Sequence, residues 1–191
     1  MNKKRILVHI CCAPDALFVM NRLLDGFFVT GYFENPNIFP PEEHALRLTE
    51  TQKVAETLSF DLLIGPNDRE VWNHRAAKYA EEPEKGRRCD ICYAHRLQNT
   101  ALEAVDRNFD LFTTVMTLSP LKKASSIHRI GRMFARRYGI EFLETDFKKK
   151  DGFLQSVQMS HEHGLYRQNY CGCSFSLKDR ERRRQEKGGG D

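Results

Sequence analysis

The six cysteines of this 191-residue chain stand in three tight pairs: Cys11-Cys12, Cys89-Asp90-Ile91-Cys92 and Cys171-Gly172-Cys173. A cysteine packed as a small hydrophobe needs no second thiol beside it. A soft metal does need paired thiolates, because each pair delivers two ligands for little extra ordering entropy. Six sulfurs also exceed the four that a tetrahedral zinc takes. The surplus points to an iron–sulfur cluster or to two metal centres side by side. Gly172 relieves backbone crowding within the narrow bite of its pair, which suits adjacent metal atoms. Asp15 lies four residues after Cys11, in the first turn of an expected helix. It is either a partner of the helix dipole or the oxygen ligand of a harder iron centre with an open coordination position. Thiol–disulfide exchange is the weaker chemistry here, since it needs one dithiol rather than three.

The elements that must position these thiols are legible as alternating strands and helices. Apolar runs predict strands at Arg5–Ile10, Phe27–Phe33, Asp61–Ile64, Asp110–Met116 and Glu141–Glu144. Helices are predicted at Pro14–Leu24, Glu42–Leu58, Arg69–Ala80, Asp90–Val105 and Ser125–Tyr138, with Pro14 suited to a first helical position. This alternation implies an α/β fold, a parallel sheet with helices on both faces, in one catalytic domain over 1–187 and a flexible glycine tail over 188–191. Ligands of such sheets bind at the carboxyl ends of the strands. Cys11-Cys12 follows the first strand directly, and Ser119 to Lys122 follows the fourth, so both belong on that rim. Cys89 and Cys92 flank a helix start, where the dipole favours thiolate.

A chain this long buries roughly 70% of its unfolded surface without staples. Asn2-Lys3-Lys4-Arg5 leads into an apolar stretch too short for a secretory signal, and no stretch approaches a membrane span. The expected compartment is a reducing cytoplasm, with thiols serving metal or redox chemistry rather than disulfides. The net charge is +4. Its basic residues recur through the second half: Arg87-Arg88, Lys122-Lys123, Arg129, Arg132, Arg136-Arg137, Lys148 to Lys150 and the run from Arg180 to Lys187. They are either solvated helix faces or a phosphate-facing surface. Tyr93 and Tyr170 each adjoin a cysteine and Tyr166 stands near, placed for packing or for stacking on unpaired bases. Phe153 and His9 read as core, and His161 and His163 as surface residues near a helix end.

Together, HICCAPDA, ENPNIFPPEEHALR, RRCDICYAHRLQNTA, TTVMTLSPLKK and LYRQNYCGCSFS resemble the cobalamin-independent epoxyqueuosine reductases of the QueH type, from about Ile6 to Ser176. The order of CC, CxxC and CGC carries the likeness. The resemblance implies a nucleotide α-hydrolase (HUP)-like sheet and an enzyme that reduces epoxyqueuosine to queuosine at the wobble position of tRNA. It implies a [4Fe–4S] cluster and an additional iron ion, without cobalamin. HICCAPDA stands where ATP-using relatives carry a Ser-Gly-Gly-x-Asp-Ser loop, so ATP is not expected. The six cysteines are assigned to the two metals collectively, with Asp15 and Cys12 at the chemistry. Asn35, Asn37, Arg47, Tyr93, Arg96, Ser119, Lys122 and Tyr166 are candidates for substrate and tRNA contact. The partners implied are the anticodon stem-loop and an external electron donor such as a ferredoxin or a reductase, with no membrane. The competing reading of the cysteines is a zinc-stabilised tRNA-binding module without redox chemistry.

Overall fold

The computed structural model describes residues 3–188; the glycine tail expected over 188–191 lies almost entirely outside them. Five strands form one parallel sheet: β1 (Lys4–His9), β2 (Phe27–Phe33), β3 (Asp61–Ile64), β4 (Leu111–Thr114) and β5 (Glu141–Phe142). Their spatial order is β3-β2-β1-β4-β5. Ile6, Leu7 and Val8 of β1 are fully buried, as a central strand covered on both faces requires. β1 pairs with β2 on one side, Ile6 opposite Val29, and with β4 on the other, Ile6 opposite Leu111.

The helices are α1 (Ala13–Leu23), α2 (Pro41–Leu58), α3 (Arg69–Ala77), α4 (Arg87–Asp106), α5 (Ala124–Tyr138), α6 (Gly152–Glu162) and α7 (Ser174–Gly188). α1 packs with α2 and α6, and α4 packs with α5. The chain leaves β1 toward β2 on one side and later returns to β4 on the other. The carboxyl end of β1 is therefore the switch point of the sheet, where the connections diverge and leave a crevice. Pro14 opens α1 within a residue of its start, so the pair Cys11-Cys12 sits between strand end and helix start.

Three expectations are adjusted. The fourth strand stops at Thr114, whose hydroxyl accepts from the Met116 amide and starts a 3₁₀ turn over Val115–Leu118. α3 ends at Ala77, and β5 is only two residues long. α6 and α7 are elements to which the sequence pattern assigned no range. α7 reads SFSLKDRERRRQEKG, with no apolar stripe to announce a helix. Among the described residues no helix is long and apolar enough to cross a membrane.

Candidate metal centre

The three cysteine pairs come together at the carboxyl rim. The thiols of Cys11 and Cys12 and a carboxylate oxygen of Asp15 all lie within 4.8 Å of one another, and all three residues are buried. Cys12 occupies the N-cap position of α1 in extended geometry, and Asp15 follows in the first turn. This spacing turns the carboxylate back over the pair. Burial, reinforced by the neighbouring Cys11, pushes the Asp15 carboxyl up to about 6. A hydrogen bond from Cys12 draws the Cys11 thiol well below the ordinary thiol range, with Lys122, Arg96 and Arg47 supporting the anion.

The other four thiols form a second group. Burial, with smaller contributions from the neighbouring Cys171 and Cys173, pushes Cys89 up to about 11 and Cys92 up to about 12, so the two pairs lie near each other. Two of these sulfurs already accept backbone N–H groups: Cys89 from Lys85 at 3.2 Å and Cys173 from Ser176 at 3.4 Å. Amide donors on sulfur favour thiolate over thiol. Trp72 and Ala76 of α3 pack on Cys92 in a small apolar cluster that includes Cys173 and Phe175.

Three cations are buried among the anions. Desolvation alone would discharge Lys122, but Cys11, Cys171 and Asp15 outweigh it and hold the ammonium firmly protonated. Arg96 is likewise held charged against its burial by Cys92, Cys11 and Cys171. Arg47 is 2% exposed and braces the loop of the third pair. It donates to the carbonyls of Cys171 at 3.1 Å and Tyr170 at 3.3 Å, while Glu43 holds its Nε at 2.7 Å. A buried lysine and two buried arginines would be an electrostatic liability without facing anions. Their presence matches a site built to collect thiolates.

Gly172 belongs to the same brace. Its φ is +127°, and a Cβ there would stand 3.0 Å from Arg47 Nη1 and 3.3 Å from Ile38 Cγ1. The guanidinium cannot retreat, because Glu43 and two carbonyls fix it. Its carbonyl also accepts from Phe39 N at 2.8 Å. Gly172→Ala should therefore cost about 1–3 kcal/mol of stability, read as a lowered melting midpoint together with weakened iron retention.

The residues expected at a substrate surface divide sharply. Asn35, Asn37, Arg47, Tyr93 and Arg96 are all buried. Asn35 donates to the Ile10 carbonyl at 2.8 Å and so ties β2's exit to the strand before Cys11. Arg96 donates back to the Cys92 carbonyl at 3.3 Å. Tyr166 spends its hydroxyl on Glu43 at 2.9 Å and its amide on Glu50 at 2.8 Å. These are struts of the site. Ser119 and Lys122 do line a cavity of about 180 Å³, which opens beside Asp15 and Cys171. Phe153, Arg167 and Gln168 complete its wall, and sequence reading did not place them there. The only available signal was that Arg167 to Tyr170 immediately precede Cys171. His9 is fully buried with Nδ1 3.0 Å from Thr114 Oγ1, as a core residue, and His161 and His163 are exposed.

Several of the basic residues are engaged with acids or carbonyls of the chain itself. Lys122 is buried, Arg132 pairs with Glu144 and Arg129 with Asp90. Lys148 pairs with Asp146 and donates to the Thr117 carbonyl. Arg136 and Arg137 occupy the last turn of α5, which leads into β5 and so lies at the amino-end rim of the sheet, away from the carboxyl rim of the thiols.

A parallel sheet of this order, with its cysteines gathered at the switch point, defines a doubly wound α/β protein with a thiol-rich candidate metal site. The fold is shared with the U34-tRNA thiolase NcsA from Methanococcus maripaludis, solved with its [4Fe-4S] cluster: TM-score 0.57, 13% identity, 100% of this chain and 69% of that one. The chain belongs to the epoxyqueuosine reductase QueH family, whose model matches residues 6–179, and it is an oxidoreductase. Among its relatives, the epoxyqueuosine reductase QueH of Thermotoga maritima is 36% identical over 95% of this chain and 94% of its own length. That of Streptococcus pyogenes is 36% identical over 91% of this chain and 70% of its own. A predicted subunit of a tRNA methyltransferase from Methanocaldococcus jannaschii also has this fold, with TM-score 0.53 at 14% identity, over 83% of this chain and 88% of that one.

Proposed function

We propose that this chain removes the epoxide oxygen of epoxyqueuosine at the wobble position of tRNA, using a [4Fe–4S] cluster and a separate iron. The observation that carries the reading is the convergence of six thiols and one carboxylate at a single rim, facing three buried cations. The donor set fits both groups. Cys89, Cys92, Cys171 and Cys173 would hold the cluster, since four thiols with amide donors on two of them suit a soft, electron-rich centre. Cys11, Cys12 and Asp15 would hold the iron, because two sulfurs and one oxygen leave it an open position.

When bound, these groups supply electrons one at a time and a Lewis acid for the oxygen. The reaction consumes two electrons and two protons, converts the epoxide to an alkene and releases the oxygen as water. The chain's own residues prepare the place for it. The cavity beside Asp15 receives the substrate ring, and Phe153 and Tyr170 in its wall offer aromatic surface and exclude water. Lys122 lines the same cavity and presents Nζ as a charged donor toward the departing oxygen. Arg96 and Arg47, buried behind the thiols, support the Cys11 anion, and Arg47 holds the backbone of the third pair in place. The electrons come from an external donor such as a ferredoxin or a reductase. The reading includes neither cobalamin nor ATP and places the enzyme in the cytoplasm, where tRNA is.

Anaerobically purified protein should be brown, contain about five irons and about four acid-labile sulfides per chain, and convert epoxyqueuosine to queuosine in tRNA once reduced. Zinc without acid-labile sulfide would instead favour the tRNA-binding module. Full activity at four irons or fewer would remove the separate iron.

A further inference from the structure

Resting on the reading above, we propose that a groove running from Asp15 across Cys171 to α7 binds single-stranded RNA, with Arg183 and Arg184 on the phosphates flanking the reacting nucleotide. The cavity beside Asp15 adjoins a second, of about 200 Å³, and the two share Leu121, Asn169, Tyr170 and Cys171 in their walls. They form one continuous track over the exposed edge of the thiol site. Arg180, Arg183 and Arg184 line the far end. Their spacing of three and four places them on one face of α7.

Arg180 is anchored. It donates to Asn169, its guanidinium lies 5.4 Å from the centre of the Tyr170 ring, and its Nε is buried without a partner. Arg183 meets a single acid, Glu84, at 3.6 Å, and Arg184 stands exposed. The middle of the track is apolar, with Leu121 53% exposed. An apolar floor leading to an end where three arginines face one acid, Glu84, suits a single strand, whose bases need surface and whose backbone needs cations. A neighbouring cavity of about 430 Å³, which shares Glu84 and Arg183, lacks that asymmetry: Glu81, Glu82, Glu84 and Asp179 offset its basic residues. An acidic electron carrier would be drawn by the same charge, but a concave track leading into a base-sized cavity favours a strand over a protein surface.

The test uses holoenzyme and an anticodon stem-loop RNA unmodified at the wobble position. R183Q/R184Q should weaken binding about fivefold per lost phosphate contact at about 0.1 M salt, and flatten the plot of log affinity against log salt by about 0.7 per contact. R136Q/R137Q, at the amino-end rim, should change neither. Iron content and reduction of the free epoxyqueuosine nucleoside should stay at wild-type level in both, and single R184Q should show about half the change in slope. Unchanged affinity and slope in R183Q/R184Q would overturn the proposal. So would a variant that binds RNA normally but is reduced slowly by an acidic electron carrier, which would assign the face to a protein. If wild-type enzyme binds the RNA yet fails to reduce epoxyqueuosine, the reaction assigned above falls and the RNA track stands.

Discussion

Asp15→Ala should keep the brown chromophore of the four-thiol group and lose turnover by at least about a hundredfold, the scale of removing one group that supports a developing oxyanion. The absorbance spectrum, the iron count and single-turnover conversion of tRNA-bound epoxyqueuosine check it together. The alternative role for Asp15, a partner of the α1 dipole, predicts a loss of only about 0.3–1 kcal/mol of stability with turnover intact. Energetics argue against that role. Burial raises the carboxyl to about 6, so in metal-free protein ionisation at neutral pH is disfavoured relative to the unfolded chain. The penalty is absent at pH below the ordinary carboxylate value, grows as pH rises from there to about 6, and is constant above it. A buried acid that lowers stability at working pH is retained for what it binds. An active Asp15→Ala enzyme would return the residue to the helix dipole.

The second large effect separates the two groups of thiols. Cys92→Ser or Cys171→Ser should abolish both the chromophore and turnover. Each removes one of four facing sulfurs, and Cys92 is packed under Trp72, where no water can take the vacant ligand position. Cys11→Ser or Cys12→Ser should also abolish turnover yet leave four sulfides and most of the visible absorbance, with the iron count lowered by about one. Equal loss of sulfide in all four variants would mean that the groups share one cluster, and the division between them would fail.

Much of this was readable before any coordinates. Alternation of apolar runs placed all five strands and the first five helices, and the rule that ligands gather at the switch point placed Cys11-Cys12 and Ser119 to Lys122 on the correct rim. What escaped did so for identifiable reasons. α7 has no apolar stripe, because it owes its place to Cys173, Phe175 and Ser176 at its start rather than to a buried face. Arg47 and Arg96 look like surface cations in sequence, since arginine is rarely buried without a partner. The partners that fix Arg47 include carbonyls 123 and 124 positions away, which no local pattern reveals. Basic clusters at Arg132 and Lys148 are likewise neutralised by acids that only the fold brings near. Gln168 drew no attention and Phe153 read as core, because each is an ordinary residue type whose significance is its position on a cavity wall.

The four-thiol group has a consequence for folding as well as for chemistry. Its ligands come from two distant segments, the start of α4 and the loop before α7, so a metal centre held by all four would close a chain loop of roughly 80 residues. Cross-linking a loop that long removes conformations from the unfolded chain; by the entropy relation used for disulfides, the difference is about 4–5 kcal/mol, a large share of the marginal stability of a domain. Oxidative loss of the centre would then be a folding event. The chain that can no longer transfer electrons would also be the chain that opens, and the same chemistry that ends its activity would mark it for proteolysis.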